Sequence, residues 1–450
     1  MIRMDEFIDK LLKAAAEAGI DPAEVYSQEN SAFSAEAMEG NVDSYEVSET
    51  CGLGLRGVVG GKMGYASTEA FDDDAIRMLI RGVKESAALV ETEEQDEIYA
   101  GDPEYPELAI PENDLDSITA EEKLQLVLDI EKTAMAADPR IVKSQGSFVA
   151  TGKGVVRLVN SYGLNLKTEA PVGGYVTAGI WLVGKDGEST ATGGESEVSR
   201  KFRELDPVSI GKKAAEKTTE RLNASPVESG MYRTVIRRDA MRSLLNVFSG
   251  IFSAENAQKK LSLLDGREGE TIAASCVTLM DDPLLPDGLA SATFDGEGSA
   301  CRTKAVIENG VLKTLLHSRK TARKAGTVST GNAKRTVSTP VRVAPTNFFF
   351  RPGEKDLDGL LADLGDGLLI TEVGGLHAGA NPISGDFSLI AKGFRVNGGK
   401  QGKPVEQITI AGNFYQLLKD IRAVGSDLEF KRSNIGSPSV DVGTIHVAGK

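Results

Sequence analysis

The sequence predicts an α+β fold: an N-terminal α/β region of hairpins and helices, then a strand-rich C-terminal domain with one central helix. Three observations carry this. Helical periodicity is confined to a few segments with good start signals. Glycine pairs and Asn-Gly dipeptides sit between short apolar runs, as hairpins require. Strands and helices do not alternate regularly, which argues against a βαβ sheet. At 450 residues the chain exceeds one ordinary core. The division expected is 1–225 and 226–450, with a subdivision near 91–114.

The elements follow in order. Phe7, Ile8, Leu11 and Leu12 share a face of a helix over Asp5–Ala18, stopped by Gly19. Strand-like runs cover Val25–Ala35 and Asn41–Ser48. "CGLGLRGVVGGKMGYAST" from Cys51 reads as a hairpin turning at Gly60-Gly61. A helix begins at Asp72. The stretch Glu91–Asp114 is acidic and contains Pro103, Pro106 and Pro111, the composition of a linker. Thr119 and Glu122 form a capping box for a helix through Ala136. Strands and turns fill Ile141–Ser199. Asp206-Pro207 opens a helix ending near Asn223, and "SPVESG" (Ser225–Gly230) marks a second boundary.

Beyond it, Tyr232–Ile236 reads as a strand, and a helix capped by Asp239 follows. Leu244, Leu245, Phe248, Ile251 and Phe252 form its apolar face. Asn309-Gly310 and Asn397-Gly398 are hairpin turns. Short helices are expected near Ser318–Lys324, Asp356–Leu364 and Phe414–Ile421.

A net charge of -15 repels phosphate backbones and anionic bilayers, so neither nucleic acid nor membrane is an expected partner. No apolar run reaches the roughly 20 residues of a membrane span, and the N-terminus lacks a signal-peptide pattern. The three cysteines are far apart, which disfavours a disulfide framework or a zinc knot. A cytoplasmic location is the simplest expectation.

Candidate chemistry is sparse. Of the three histidines, none is spaced with another as a helical metal pair. His317 and His446 read as structural. "GGLHAGANPISGDFSLIAKGF" (Gly374–Phe394) brings His377, Ser384 and Asp386 together in sequence. A catalytic triad needs a nucleophile on an exposed turn, and no G-x-S-x-G occurs. The favoured reading is a glycine-permitted loop entering a strand. There is no phosphate-binding G-x-x-x-x-G-K-[ST], and "GLGLRG" opens no helix. The basic run Ser318–Arg335 suits a carboxylate or phosphate, or a solvated loop. Asp281-Asp282 and Asp72–Asp74 read as a turn and a helix start.

An ordered set of motifs resembles the TldD/PmbA family: "FSAENAQKKLSLLDGREGE" from Phe252, "FDGEG" from Phe294, "IENGVLKTLL" from Ile307, "TGNAKR" from Thr330, "SGDFSLIAKGF" from Ser384 and "ITIAGNF" from Ile408. The resemblance spans nearly the whole chain. It implies a cytosolic two-subunit metallopeptidase acting on unfolded peptides. One subunit type carries H-E-x-x-x-H and a later cysteine as zinc ligands. Here the matching positions are Leu245, Asn246 and Gly250, and no cysteine follows Cys301; the late ligand would fall near "RSNIGSPS" (Arg432–Ser439).

The chain therefore resembles the PmbA/TldE type, without the zinc motif. Leucine and glycine side chains cannot bind zinc, and asparagine cannot serve as general base. The implied partner is a TldD-like catalytic homologue, which would hold the zinc, or a second copy. Gly374, Gly375, His377, Ser384, Asp386, Phe387 and Arg335 are the peptide-binding candidates. The hairpin is expected to line a cleft and offer a strand edge to an extended peptide. The rival readings are a homodimeric peptide-binding protein without catalysis and an independent hydrolase using His377. A gyrase regulator is disfavoured by the charge.

Overall fold

The computed structural model describes residues 4–91, 96–109 and 111–450; part of the expected linker, 92–95 and 110, lies outside them. The fold is α+β. Helices α1 (Met4–Glu17), α2 (Asp73–Ala88), α3 (Ala120–Ala137) and α4 (Pro207–Thr219) belong to the first half. Their starts follow local chemistry. Asp72 accepts from the Ala75 N–H, Thr119 and Glu122 close a capping box, and Asp206 accepts from the Val208 N–H.

These helices pack on a sheet of β1 (Ala23–Met38), β2 (Asn41–Val59), β3 (Lys62–Thr68), β4 (Ile141–Asn160), β5 (Asn165–Glu169), β6 (Tyr175–Asp186) and β7 (Ser189–Ser199). The order is β3-β2-β1-β4-β6-β7, with β5 beside β4. Strands from both sides of 91–114 therefore share one sheet. The run Asn41–Ser48 and the first leg of the hairpin from Cys51, expected as separate strands, join: β2 is continuous from Asn41 to Val59. Alternation decides the faces of β1. Val25, Phe33, Ala35 and Ala37 pack under the helices, while Glu24 and Tyr26 face the second half of the chain.

The second half holds β8 (Gly230–Ile236), α5 (Arg238–Phe248), α6 (Ala254–Gln258), β9 (Leu279–Asp281), β10 (Lys304–Glu308), β11 (Val311–Leu312), α7 (Arg319–Ala325), β12 (Ala333–Lys334), β13 (Arg342–Val343) and β14 (Phe348–Phe350). It continues with α8 (Leu357–Leu364), β15 (Gly367–Gly374), α9 (Leu376–Gly379), β16 (Asp386–Asn397), β17 (Lys400–Asn413), α10 (Phe414–Asp420), β18 (Ala423–Val424), β19 (Ile435–Gly436) and β20 (Val440–Ala448). Strands β17, β16, β15, β8 and β20 pair in succession, and β17 pairs back to β20. The five thus close into a ring. Its apolar face meets the buried side of α5, where Leu244, Leu245 and Phe248 join Leu389, Ile410 and Phe414 in one core. A smaller sheet, β11-β10-β9-β14-β19, flanks it.

Two local expectations are corrected. Asp239 does not cap α5. Arg237 holds the cap position with extended backbone, and Asp239 lies inside the first turn, 3.1 Å from the Arg237 guanidinium. The β16–β17 turn is made by Gly398-Gly399, both at positive φ, with Asn397 still paired to Lys400. Two adjacent glycines supply the left-handed conformations more cheaply than an asparagine would. At Asn309-Gly310 the expected turn forms.

The basic run finds its carboxylates within the chain. Glu97 accepts from Arg319 at 2.7 Å and from Arg323 at 2.9 Å, and Arg319 lies 3.4 Å over the Tyr99 ring. Asp102 accepts from the Ala300 N–H, and the Tyr105 hydroxyl donates to the Gly298 carbonyl. The described part of the acidic linker is laid against the C-terminal half through Glu97, Asp102 and Tyr105.

Candidate functional site

The sequence-derived candidates do not converge. Gly374 ends β15, and Gly375 takes φ +74° to start α9. His377 is exposed on that short helix and makes no hydrogen bond to Ser384 or Asp386 among the described residues. The Ser384 hydroxyl accepts from the Asp386 N–H, and Asp386 accepts from the Asn413 amide at 2.8 Å. Hydrogen bonding of its side chain to Asn413 first, then to Ser384, holds the exposed Asp386 carboxyl below its ordinary value. Both are turn bonds and leave no oriented base.

Phe387 lies in the core, 6.3 Å from Phe248. The expected peptide-binding edge is absent, because β16 is interior to the ring: β17 pairs with it from Asp386 onward, β15 from Ile390 onward, and a bridge from Ala380 covers Phe387. Among the described residues only Ser388 and Leu389 lack a strand partner on the β15 side, too short an edge for an added strand. His317 is buried; loss of hydration lowers its pKa. His446 is exposed on β20.

Arg335 sits elsewhere, between the halves. Its guanidinium donates to Glu24 at 2.6 Å, and Arg56 donates to the same carboxylate oxygen at 2.7 Å. Arg335 also lies 4.5 Å over the Tyr26 ring. Burial alone would raise the Glu24 carboxyl, but Arg56 and Arg335 outweigh it and hold it low. Arg335 is itself drawn down by burial and by Arg56. A guanidinium stays charged in a protein, so the cluster is an ionised carboxylate between two cations. Arg335 thus joins the two halves; it borders two cavities there, of about 320 and 310 Å³, which none of the other candidates lines.

The residues that resemblance marks as the former metal positions separate by environment. Leu245 is fully buried, Gly250 is half-buried in the turn after α5, and Asn246 is exposed. Asn246 opens onto a cleft of about 480 Å³. The cleft's walls come from the β7 edge and the end of α4 on one side. On the other are the start of α5, the Thr371–Val373 leg of β15, and Lys431–Ser433. The expected β15–β16 hairpin thus contributes only its first leg. The segment expected to hold a late ligand does reach this cleft, as Arg432 and Ser433.

The cleft is ionic. Glu195 accepts from Lys217 at 2.5 Å and from Lys431 at 2.7 Å. Burial would raise its pKa, but these hydrogen bonds prevail and lower it. Asp239 is likewise pushed up by burial and pulled down further by Arg237 and Lys431. Glu372 pairs with Arg221 at 2.8 Å. Phe148 and the half-exposed Trp181 supply aromatic surface, with Arg432 4.9 Å over the Phe148 ring. A zinc ion does not fit these donors. No histidine or cysteine lines the cleft, and no group of three His, Cys, Asp or Glu side chains suited to a metal occurs among the described residues.

Models of the PmbA/TldA metallopeptidase match here: domain 1 over 23–87, the central domain over 113–222 and the C-terminal domain over 229–449. The chain belongs to the PmbA/TldD family. A metalloprotease PmbA homologue of Haemophilus influenzae is 28% identical, covering 97% of this chain and 94% of its own. A Thermotoga maritima protein, solved as a candidate modulator of a DNA gyrase, is 32% identical with a TM-score of 0.91, covering 99% of this chain and all of its own. TldE of Thermococcus kodakarensis, at 22% identity and a TM-score of 0.89, shares the fold, covering 98% and 100%. Among the described residues of this family member, no helix is long and apolar enough to cross a membrane.

The ionic residues of the cleft escaped the sequence reading. Glu195, Lys217, Asp239, Glu372 and Lys431 come from distant segments, and no spacing rule links them. Only Asn246 and the 432–439 stretch carried a signal, through resemblance.

Proposed function

We propose that this chain is the zinc-free subunit of a PmbA/TldD-type peptidase, acting in the cytoplasm on unfolded peptides with a TldD-like homologue. The observation that carries the reading is the cleft beside α5. It is lined by charged and polar side chains, with Asn246 at the position that the resemblance gives to the general-base glutamate, and with no histidine or cysteine among its lining residues. The partner would bring the zinc and the general base. This chain's part is to hold an extended peptide and exclude loose water, so that the scissile carbonyl is positioned for the partner.

The isolated chain, dialysed extensively, is expected to hold far less than stoichiometric zinc by metal analysis. Stoichiometric zinc lost on replacing His377 or His317 would sink the assignment. The chain alone should leave casein uncut; mixed with its TldD-like homologue, it should support cleavage that a chelator abolishes. Cleavage by the chain alone, insensitive to chelator, would establish the independent-hydrolase rival instead.

A further inference from the structure

The cleft beside α5 carries more positive charge than it neutralises. Six of its lining side chains are cationic (Lys217, Arg221, Arg237, Arg242, Lys431 and Arg432) against the three carboxylates Glu195, Asp239 and Glu372. Outside the lining, Glu429 lies 3.9 Å from Lys431 and Glu220 faces Arg237, Arg221 and Lys217, so the excess is narrow and centres on Arg432. This surplus sits in a chain whose overall charge is -15, so it is a local construction. Hydrogen-bonding capacity is in excess too. The shielded Nε atoms of Arg221 and Arg237 find no acceptor. Arg432 is exposed, stacks on Phe148 and has no carboxylate within ion-pair distance among the described residues. The start of α5 lies here as well: Asp239 and Ala240 line the cleft, although the Arg238 N–H is already taken by the Ser439 hydroxyl at 3.1 Å.

We infer that this cleft holds a carboxylate of an extended peptide, with Arg432 and Arg237 as its principal cations and Trp181 as an apolar wall for the adjoining residue. Arginine's fork matches a carboxylate's two oxygens. The cleft volume lies within the range of small-ligand sites. A polyphosphate or nucleic acid fits less well, because Glu195, Asp239 and Glu372 would repel a ligand of high charge density. The carboxylate comes either from the peptide's C-terminus or from its acidic side chains. The choice of a peptide rests on the function proposed above; the anionic character rests on the cleft alone.

Trp181 is the only tryptophan in the chain and lies in this cleft, so its emission reports on occupancy. The full-length chain is titrated with short unstructured peptides of three kinds: neutral with a free C-terminus, neutral and amidated, and glutamate-rich and amidated. At least one carboxylate-bearing peptide should shift Trp181 emission and bind at least about tenfold more tightly than the neutral amidated one. Whichever carboxylate peptide binds identifies the source. Arg432→Glu should weaken that peptide about tenfold or more, with an unchanged melting temperature, since the residue is exposed. A second variant, Arg432→Gln, should weaken it less. Added salt should weaken binding of the native chain more than of Arg432→Glu. Equal affinity for all three peptides, no binding of any, or tighter binding of inorganic phosphate overturns the inference. Binding is read without partner or turnover. Its failure therefore leaves the cleavage experiment intact, and failed cleavage leaves the anion site standing.

Discussion

Phe248→Asp is expected to destabilise the fold by about 3 kcal/mol or more, whereas Asn246→Ala should stay within about 0.5 kcal/mol of the native chain. The two positions are half a helical turn apart, and their surroundings are opposite. Phe248 has no exposed surface and stacks on Phe414 with ring centroids 4.6 Å apart and planes 13° from parallel. An aspartate there forfeits aromatic packing and buries a carboxylate with no donor in place. Asn246 is exposed on the cleft side, and its side chain makes no hydrogen bond among the described residues. Thermal or urea unfolding of both variants decides it. Equal midpoints would mean that the buried face of α5 has been misassigned.

The second large effect belongs to Glu24. Glu24→Gln should cost roughly 3–5 kcal/mol at neutral pH, the range for removing one partner of a buried ionic cluster. The substitution keeps the shape but removes the carboxylate to which Arg56 and Arg335, both buried, donate directly, leaving them only the electrostatic attraction of Glu297. Because Glu24 and Arg335 belong to different halves of the chain, the variant should also become more susceptible to proteolysis between them.

The pH dependence has a definite sign. Glu24 is held below its ordinary value in the fold, so its contribution is present above the unfolded value and disappears as pH falls through the folded one. The stability gap between native chain and variant should therefore narrow in acid. Denaturant titrations at neutral and acidic pH measure this; a gap that widens in acid would refute the ionised cluster. Nearby Asp295 behaves oppositely. Burial first, and then repulsion from Glu297, push its carboxyl up to about 7, which makes Asp295→Asn the natural control.

Local chemistry was readable from the sequence. Asp72, Thr119 with Glu122, and Asp206-Pro207 start helices because a side-chain acceptor beside an apolar-periodic run has few other uses. Gly60-Gly61 and Asn309-Gly310 turn hairpins for reasons contained in a dipeptide. The errors arose where two local signals competed or where the answer was non-local. Asp239 was a plausible cap, but the Arg237 backbone leaves the helix first. Asn397-Gly398 was a plausible turn, but Gly399 displaced it by one residue. Whether β16 had a free edge depended on β17 and β15 together, and nothing within Asp386–Asn397 records that. Arg335 illustrates the same limit: its partner Glu24 is in the first strand of the other half. Of the cleft, the chain revealed only what it lacks, at Leu245, Asn246 and Gly250; the charges that define it are assembled by the fold.

The ring of strands has a consequence for how the protein is made. Strand β8 opens the C-terminal half, yet one flank of it waits for β20, which also seals β17. A ribosome therefore releases β8, α5 and β15–β17 well before the strand that completes them. Through that interval the apolar surface around Phe248, Phe387 and Phe414 has no closed wall, and pairing over such a sequence separation is slow. Translation stalled before β20 should accordingly yield an aggregating species, not a shortened but folded one.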